Sequence, residues 1–519
     1  MINGEGRLLL SAEDSKALDK EAQDEWSFNV FSLIEAAGRL SAEILTRRYG
    51  ELFRNHPRIS VFSGTGNNGA DALVMLRHLL LSGVAEAQCC RLVISRQPND
   101  SEISPWTEIL KSVEKMKVPV NVWNGESGKD LIRNSDIIID GIAGTGITGP
   151  LHSPAMEMVN AINSRGKKPF VVSVGLPSGN SDDWKSGMPI VRADLTLAVE
   201  PRSRCLYTPA ARPYAGIIES VNGIFPKEII AHYRYHDCGA ELLDWDSARA
   251  RIPAVKTHSH KYERGTVEIR AGSAGAAGAA LIAARGAQAA GAGLVRLVAD
   301  DDIYPILASG AGGIMVSPVS AENLDFEGKF TPDAILLGPG WGRAERRVSV
   351  LEKALRKEKT GTPLILDADA IELAKNMKFC GNAILTPHTG ELSRFSKIDK
   401  AGLLCHPVPE LLDLSREYNV TIIFKCHVIH IAAPDGRLGI VDGMAANLAS
   451  GGSGDLLAGL CAAIAARMAQ EGRFDAYNCA AAAASLLIAC AKADDLRKRF
   501  TDPLELATKA ADLAGEAWL

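Results

Sequence analysis

The sequence predicts an α/β protein of two domains, the first with a parallel β-sheet between layers of helices. The chain has 519 residues, more than one hydrophobic core usually organises. In both halves, short apolar segments of strand length alternate with longer segments whose apolar residues recur at helical spacing. This alternation favours parallel strands, because each helix returns the chain across a face of the sheet. Charged and aromatic residues interrupt the pattern at 226–254, so the predicted domains are 1–235 and 236–519.

The first half is predicted to be a three-layer sandwich that begins with a helical segment at 11–49. Apolar, β-branched segments bounded by turn residues are its predicted strands. These strands are 58–62, 90–94, 120–122, 137–139 and 170–174, and the helices predicted between them are 71–82, 104–116 and 154–164.

The second half repeats the alternation, and its two most apolar stretches are 274–298 and 479–491. The first stretch carries Arg285 and Arg296, and the second is shorter than the roughly 20 residues that cross a bilayer. Both are therefore predicted to contain helices buried in a folded domain, the first over 276–290, and no membrane partner is expected. The predicted strands of this half are 266–270, 294–298, 334–337, 364–366, 383–385 and 421–424.

Charge and cysteine content exclude several classes of protein. The net charge is −5 and both signs are mixed along the chain, unlike the basic stripe of a nucleic-acid-binding protein. Met1–Lys20 is polar and of mixed charge, unlike a signal peptide. The ten cysteines include no C-x-x-C pair and lie mostly in apolar segments, which is typical of reduced cytosolic proteins. We therefore expect a cytoplasmic protein without nucleic-acid partners.

The most informative segment is 447–460, which reads N-L-A-S-G-G-S-G-D-L-L-A-G-L. Its glycines permit a tight turn whose N–H groups point the same way, and the following helix adds the positive end of its dipole. This combination suits a phosphate or another developing negative charge. Beside it, Asp455 is placed to accept a proton from a substrate hydroxyl. The alternative is a plain helix N-cap with a Gly-rich lead-in.

Three polar, Gly-rich loops follow predicted strands of the first half: Gly64–Asp71, Asp140–Gly149 and Gly175–Gly179. Ligands of open parallel sheets bind at the carboxyl ends of strands, so these loops are expected to meet at one edge. Each loop taken alone is better explained as a tight turn, and it is their common location that favours a binding site.

With these loops, the first half resembles the NAD(P)H-hydrate epimerase family, which has a Rossmann-like domain. The resemblance runs from Ala37-Gly38 to the segment 217–226. It implies a potassium ion held by Asn68, Asp140 and Ser178. It places around the hydrated nucleotide the residues Asn67, Asn68, Gly69, Ala70, Asp71, Gly144, Thr145, Gly146, Ile147, Thr148, Gly149, Pro150 and Gly175.

One departure from that family concerns the reaction itself. The family has an Asp in the turn D-x-P-S-G, and its carboxylate is expected to serve the proton or hydroxyl chemistry. This chain has Gly175 there, and a glycine cannot act as an acid or a base. Either another carboxylate, such as Asp182 or Asp183, replaces the missing one, or epimerisation is weak or lost.

Ordered segments of the second half resemble the ADP- or ATP-dependent NAD(P)H-hydrate dehydratases, which have a ribokinase-like fold. The segments are His260-Lys261, Gly278–Ala280, Gly338–Gly342, Asp367–Ala370, Thr386–Glu391, Lys425 and Ser450–Asp455. The resemblance implies that Ala279, Gly340, His388 and Asp455 line the hydrated nucleotide, and that ADP or ATP contacts Lys425, Cys426, His427, Val428, Ile429 and Gly454.

The resemblance also implies the reaction, with Mg²⁺ as the usual counter-charge. Asp455 activates the C6 hydroxyl of the hydrated ring, which attacks the terminal phosphate, and the ring nitrogen then helps to expel phosphate. The family's nucleotide loop reads K-G-x-x-T, whereas Lys425–Ile429 lacks the glycine and the threonine hydroxyl. His388 taken alone is better explained as a helix-capping turn residue.

Three interpretations remain open from the sequence. The first is a bifunctional repair enzyme acting on NAD(P)H hydrates, expected to be a homo-oligomer because the family commonly assembles. The second is a ribokinase-like small-molecule kinase, which would release a stable phosphoester instead of free phosphate. In the third, the first half only binds a nucleotide, consistent with Gly175.

Overall fold

The computed structural model describes residues 6–99, 101–166, 168–235, 239–320 and 331–516. The chain forms two compact units: the first is Leu8–Gly239, and the second runs from Ala240 onward and also includes Gly6 and Arg7. Both units are α/β, as the sequence predicts. Among the described residues, no helix is long and apolar enough to cross a membrane.

The described part of the first unit is built on a seven-stranded sheet in which every neighbouring pair is parallel. Its elements are β1 (Arg7–Leu10), α1 (Ala12–Asp24), α2 (Val30–Arg48), β2 (Ile59–Ser63), α3 (Asn67–Leu81), β3 (Cys90–Ile94), α4 (Pro105–Lys115), β4 (Val120–Val122), α5 (Gly125–Asn134), β5 (Ile137–Gly141), α6 (Ala155–Asn163), β6 (Phe170–Val174), β7 (Leu195–Val199), β8 (Arg202–Ser203), β9 (Ile217–Val221) and α7 (Lys227–Tyr235). The strand order is β4-β3-β2-β5-β6-β7-β9, and β1 pairs separately with β8.

The central strands of this sheet are covered on both faces. Val61 and Ile139 pack in the cluster formed with α2, α3 and α4, whereas Phe62 and Ile138 pack with α6 on the other side. Successive side chains of a strand point to opposite faces, so continuous apolar runs are what a sheet between two helix layers requires. The predicted three-layer sandwich is confirmed.

The second unit contains one larger sheet with the order β13-β12-β11-β14-β15-β16-β17-β18-β19-β10 across its described strands. Among the described strands of this sheet, only β18 is antiparallel to its neighbours, β17 and β19. Its elements are β10 (Ala240–Leu242), α8 (Trp245–Ala248), β11 (Thr266–Arg270), α9 (Ala277–Ala289), β12 (Leu294–Asp300), α10 (Tyr304–Gly310), β13 (Met315–Val319), β14 (Ala334–Leu337), α11 (Arg346–Lys359), β15 (Leu364–Leu366), α12 (Asp369–Leu373), β16 (Ala383–Leu385), α13 (Thr389–Ser396), α14 (Lys400–Cys405), α15 (Pro407–Tyr418), β17 (Thr421–Phe424), β18 (Val428–Ala432), β19 (Leu438–Asp442), α16 (Ser453–Gln470), α17 (Ala476–Lys492) and α18 (Pro503–Gly515).

The two helices α9 and α16 cross at very short range because glycine and alanine line the contact. A Cβ added to Gly459 would lie 2.0 Å from the carbonyl oxygen of Ala283, and one added to Gly286 would lie 2.7 Å from that of Leu456. The middle of α16, from Leu456 to Met468, is buried throughout. The Ala-rich composition therefore reflects close helix packing inside the unit.

Two segments differ from the sequence prediction. The segment 226–254, predicted as a linker, contains α7, β10 and α8. Helix α3 begins at Asn67 and not at Asp71, because the Gly-containing stretch forms its first turn. In that turn, a Cβ added to Gly69 would lie only 2.1 Å from the carbonyl oxygen of Gly64. Position 69 therefore has no room for a side chain.

Two candidate active sites

The candidate site of the first unit lies where β2, β5 and β6 end, and Asn68 connects the three loops that follow. The Nδ2 of Asn68 donates to the carbonyl oxygen of Ala143, at 3.2 Å. A Cβ on Gly144 would lie 2.9 Å from the Asn68 side chain, and one on Gly175 would lie 3.1 Å from its Oδ1. The three loops therefore meet at one sheet edge, as expected from the strand order.

Asp140 is the buried centre of an oxygen-rich cluster in this site. Its carboxylate accepts hydrogen bonds from the Ser173 hydroxyl at 2.7 Å, and from the Ser178 amide at 2.9 Å and hydroxyl at 2.5 Å. Burial raises the pKa of Asp140, although the bonds from Ser178 and Ser173 oppose the shift. The structure thus brings together all three residues of the predicted potassium set, Asn68, Asp140 and Ser178.

The position of the missing acid faces this cluster. Gly175 has φ +74°, in the left-handed region. Neither suggested replacement stands in its place: Asp182 accepts a hydrogen bond from the Ala12 amide at the start of α1, at 2.7 Å, and Asp183 is exposed. The segment Gly144–Pro150, also predicted to bind the nucleotide, is a partly exposed turn after β5.

Two other carboxyl groups mark this site, and sequence reasoning missed one of them. Asp71 lies one turn after Asn68 on α3, so the two side chains share a helix face. Burial, and then the charge of Asp19 on α1, raises the pKa of Asp71 well above its usual value. Asp19 keeps contact with water, but the surrounding protein desolvates its carboxyl and raises its pKa to about 6. Paired carboxyl groups with raised pKa values are typical of functional clefts.

The candidate site of the second unit is built around the amino end of α16. Gly452 caps the helix with φ +96°, and a Cβ there would lie 2.7 Å from Ile282 on α9. Asp455 stands in the first turn and is half-buried. Burial, and then the charge of Asp367, raises its pKa to about 6, with Lys425 opposing the shift.

Lys425 is the cation of this site. Its Nζ lies 2.6 Å from Asp367 Oδ1 and 3.1 Å from the position that a Cβ on Gly454 would occupy. Burial lowers the pKa of Lys425, but the charges of Asp367 and Glu391 outweigh it and the net shift is upward. The Thr386 hydroxyl donates to the same Asp367 oxygen, at 2.5 Å. The ammonium is therefore held beside the Gly-rich turn by a buried carboxylate whose role the sequence did not indicate.

Two residues of the predicted nucleotide loop lie in a strand. Lys425, Cys426 and His427 form the turn between β17 and β18, whereas Val428 and Ile429 are buried within β18. The Cys426 thiol lies 2.8 Å from the Val428 carbonyl oxygen, and burial raises its pKa to about 12. The Cys426 thiol is therefore packed against its own turn, where its ionisation is disfavoured.

The remaining predicted residues of this unit lie at the carboxyl ends of strands or beside them. His388 caps α13: its Nδ1 accepts from the Gly390 amide at 2.9 Å, and its backbone pairs with that of Lys425. Gly340, at φ +57°, approaches α9 so closely that a Cβ would lie 3.0 Å from that of Ala279. The structure thus joins Gly340 to Ala279 and His388 to Lys425.

Comparison with known proteins matches two family models to different parts of the chain. Residues 267–512 match the family model described as NAD(P)H-hydrate dehydratase, and residues 30–205 match the model for the YjeF-related protein N-terminus. The bifunctional NAD(P)H-hydrate repair enzyme Nnr of Gloeobacter violaceus is 30% identical over 460 residues, covering 84% of this chain and 85% of the relative. That of Moorella thermoacetica is 29% identical over 485 residues, covering 89% of each.

Comparison with solved structures gives partial matches to this chain. The ADP/ATP-dependent NAD(P)H-hydrate dehydratase of Bacillus subtilis, co-crystallised with ATP and Mg²⁺, is 26% identical with a TM-score of 0.46, covering 53% of this chain and 98% of that one. A yeast protein is 19% identical with a TM-score of 0.38, covering 45% of this chain and 99% of that one.

The protein is a two-domain α/β enzyme. Each unit has a polar site at the carboxyl ends of its strands, where such enzymes bind their ligands. The relatives match along most of the chain and not in one half alone. This chain belongs to the family of bifunctional NAD(P)H-hydrate repair enzymes.

Proposed function

We propose that this chain repairs hydrated NADH and NADPH. The second unit dehydrates the S epimer at the expense of ADP or ATP, and the first unit binds the hydrate but exchanges its epimers slowly. The proposed dehydratase activity rests on Asp455, which is half-buried behind the Gly-rich start of α16 and faces Lys425. The proposed slow exchange of epimers rests on Gly175, which has no carboxylate and lies beside an otherwise complete set of oxygen groups.

The phosphoryl transfer uses the amino end of α16. Asp455 accepts the proton of the C6 hydroxyl, the hydroxyl oxygen bonds to the terminal phosphorus, and the bond from that phosphorus to the rest of the nucleotide breaks. ADP leaves as AMP, and ATP leaves as ADP. Amides of the turn Gly452–Gly454 and the ammonium of Lys425 face the charge that develops on the phosphate.

The second step needs no further reactant. The lone pair of the ring nitrogen forms a double bond to C6 as the C6–O bond breaks and phosphate leaves. Loss of a proton from C5 then restores the C5–C6 double bond of the dihydronicotinamide. The net change is loss of one water, which appears as the hydrolysis of one phosphoanhydride bond.

The residues present fit the expected cations to different degrees. In the first unit, Asp140, Ser178 and Asn68 supply the oxygen ligands that suit potassium. In the second unit, the described residues contain no group of three or more His, Cys, Asp or Glu side chains arranged to hold a metal ion. Mg²⁺ usually keeps several waters and binds through substrate phosphates, so we expect it with the nucleotide, where it supplies counter-charge.

The proposal is tested with a racemic mixture of hydrated NADH, ADP and Mg²⁺, following the return of NADH absorbance. We expect recovery of about half of the hydrate in the fast phase, because one epimer lacks an efficient route to the other without the acid. Rapid, complete recovery would contradict slow epimerisation. No recovery, with a stable phosphoester formed from a small alcohol, would replace the repair function by a kinase.

The dehydratase should lose activity in acid because of Asp455. Burial and Asp367 raise its pKa to about 6, and only the deprotonated carboxylate can accept the hydroxyl proton. As the pH falls below the pKa, kcat/KM should drop by about tenfold per pH unit, and above the pKa it should level off. The measurement is initial rate at low substrate from about pH 5 to about pH 8. A profile that stays level throughout would contradict Asp455 as the base.

The cytoplasmic location and the homo-oligomeric state stay predictions. The first follows from the cysteine pattern, and the second from the resemblance to a family that commonly assembles. Sedimentation of the purified chain would measure the second.

A further inference from the structure

Residues 338–343 form a turn after β14, the Gly340 turn, which lies against the start of α9. The Ser273 hydroxyl donates to the carbonyl oxygen of Gly340, at 2.8 Å. A Cβ on Gly340 would lie 2.8 Å from the carbonyl oxygen of Ala276, the residue directly before α9. The family resemblance implies that Gly340 and Ala279 line the hydrated nucleotide, so the spacing between this turn and α9 would set the width of that site.

The carboxylate of Asp369 holds the far end of the Gly340 turn. One of its oxygens accepts from the Gly342 amide at 2.9 Å, and the other accepts from the Nε of Arg343 at 2.8 Å. Asp369 stands in the first turn of α12, where an acidic side chain ordinarily stabilises the positive end of its own helix. Here, however, the Gly340 turn engages both of its oxygens. The carboxylate therefore connects α12 to a segment that comes before it in the sequence.

The residue before Asp369 has a strained backbone. Ala368 has φ +47° and ψ −118°, a conformation that favours glycine. Asp367, on the other side of Ala368, holds Lys425, whose Nζ lies 2.6 Å from its Oδ1. Strain of this kind persists only where the surrounding structure fixes it, and it concentrates at functional sites. Three consecutive residues thus connect the Gly340 turn to the lysine of the phosphoryl-transfer site.

Helix α12 also contacts the helix that follows His388. Glu372 lies one turn after Asp369, and one of its oxygens pairs with Arg343 at 2.8 Å and with Arg394 of α13 at 3.2 Å. His388 caps the amino end of α13. These ion pairs are partly exposed, so they contribute less than the bond from Asp369 to a backbone amide. Asp369 is therefore the main link between α12 and the Gly340 turn.

We propose that Asp369 is a positioning residue of the dehydratase, which holds the Gly340 turn at the distance from α9 that the hydrated ring requires. It acts through this turn and not on the reacting atoms. Reaction rates are sensitive to such spacing, since a misplacement of about 1 Å can cost about a hundredfold. This role rests on the proposed function, because it assigns the hydrate to the space beside Gly340.

The test compares Asp369→Ala with the wild type in steady-state kinetics, using the purified S epimer of hydrated NADH, ADP and Mg²⁺. Each substrate is varied in turn while the other is saturating. Loss of a hydrogen bond to a charged acceptor changes an equilibrium constant about tenfold or more, so KM for the hydrate should rise by about that factor. KM for ADP should stay within about twofold of the wild-type value, because Asp367 keeps its bond to Lys425.

A conservative variant and a matched control separate positioning from stability. In Asp369→Asn the carboxamide oxygen can still accept from the Gly342 amide, so most of the rise in the hydrate KM should be reversed although the ion pair with Arg343 is lost. The control is Asp413→Ala on α15, which removes an 80% exposed acid that lies 3.9 Å from an arginine, Arg416. The control variant should keep both wild-type KM values.

Two results would overturn the positioning role of Asp369. One is a wild-type KM for the hydrate in Asp369→Ala, and the other is an equal rise in both KM values that follows a loss in melting temperature. The wild-type rate tests the proposed function separately, because that function fails if the wild type forms no NADH from the S epimer. Calorimetric titration with the hydrate alone would then still measure whether Asp369→Ala weakens its binding.

Discussion

Replacing Asp455 by Asn is expected to abolish most dehydratase activity without unfolding the protein. A positioned general base usually contributes about 10²- to 10⁴-fold to a rate, and kcat should fall within that range. The Asn side chain has nearly the same shape as that of Asp. Because the Asp455 carboxyl is half-buried with a raised pKa, a neutral amide removes the cost of burying a charge and breaks no described ion pair. The measurement is kcat for NADH recovery together with the melting temperature.

The matched control is Asp413→Asn on α15, where the side chain is 80% exposed. Its kcat and melting temperature should equal those of the wild type. If Asp455→Asn kept wild-type kcat, Asp455 would not be the base, and the site would need another proton acceptor near Lys425.

Restoring the missing carboxylate, as Gly175→Asp, is expected to accelerate epimerisation. The new Cβ lies 3.1 Å from Asn68 Oδ1, a side-chain atom that has to yield by only a few tenths of an ångström. The left-handed backbone, φ +74°, costs a non-glycine residue about 1–3 kcal/mol, but Asp is among the residues that adopt it most often. Recovery of NADH from the racemic mixture should rise from about half toward completion, because the epimers now exchange.

The control is Gly175→Ala, which introduces the same backbone strain without an acid. The Ala variant should recover the same fraction of NADH in the fast phase as the wild type. It should lose as much stability as the Asp variant. Equal epimerisation by the Ala and Asp variants would show that the position does not supply the acid, and would direct attention to Asp19 and Asp71.

The buried strands were predicted closely from the sequence because their residues have one role. The predicted strands at 90–94, 170–174 and 334–337 coincide with β3, β6 and β14, which are mostly apolar and almost entirely buried. The sequence predicts Lys425–Ile429 as a nucleotide-binding loop because these residues stand where the family has its K-G-x-x-T motif. The motif does not reveal that the last two, Val428 and Ile429, are buried in the antiparallel strand β18.

The site was predicted less completely, because its pairings join residues far apart in the sequence. Asp367 follows β15 and supports Lys425, which follows β17, with β16 between these two strands. Asp19 on α1 acts on Asp71 of α3. Neither pairing has a fixed spacing. Asp367 lies in a family motif that does not reveal its role, whereas Asp19 lies in an ordinary charged helix and in no recognisable motif.

The close crossing of α9 and α16 limits how this half can evolve. At Gly459 and Gly286 an added methyl group meets backbone atoms, which cannot move aside as a side chain can. A saturation mutagenesis survey would therefore show intolerance along the buried alanines of α16 as severe as at Asp455, although none of those alanines performs chemistry. In this half of the protein, intolerance to substitution alone does not distinguish a volume constraint from a catalytic one.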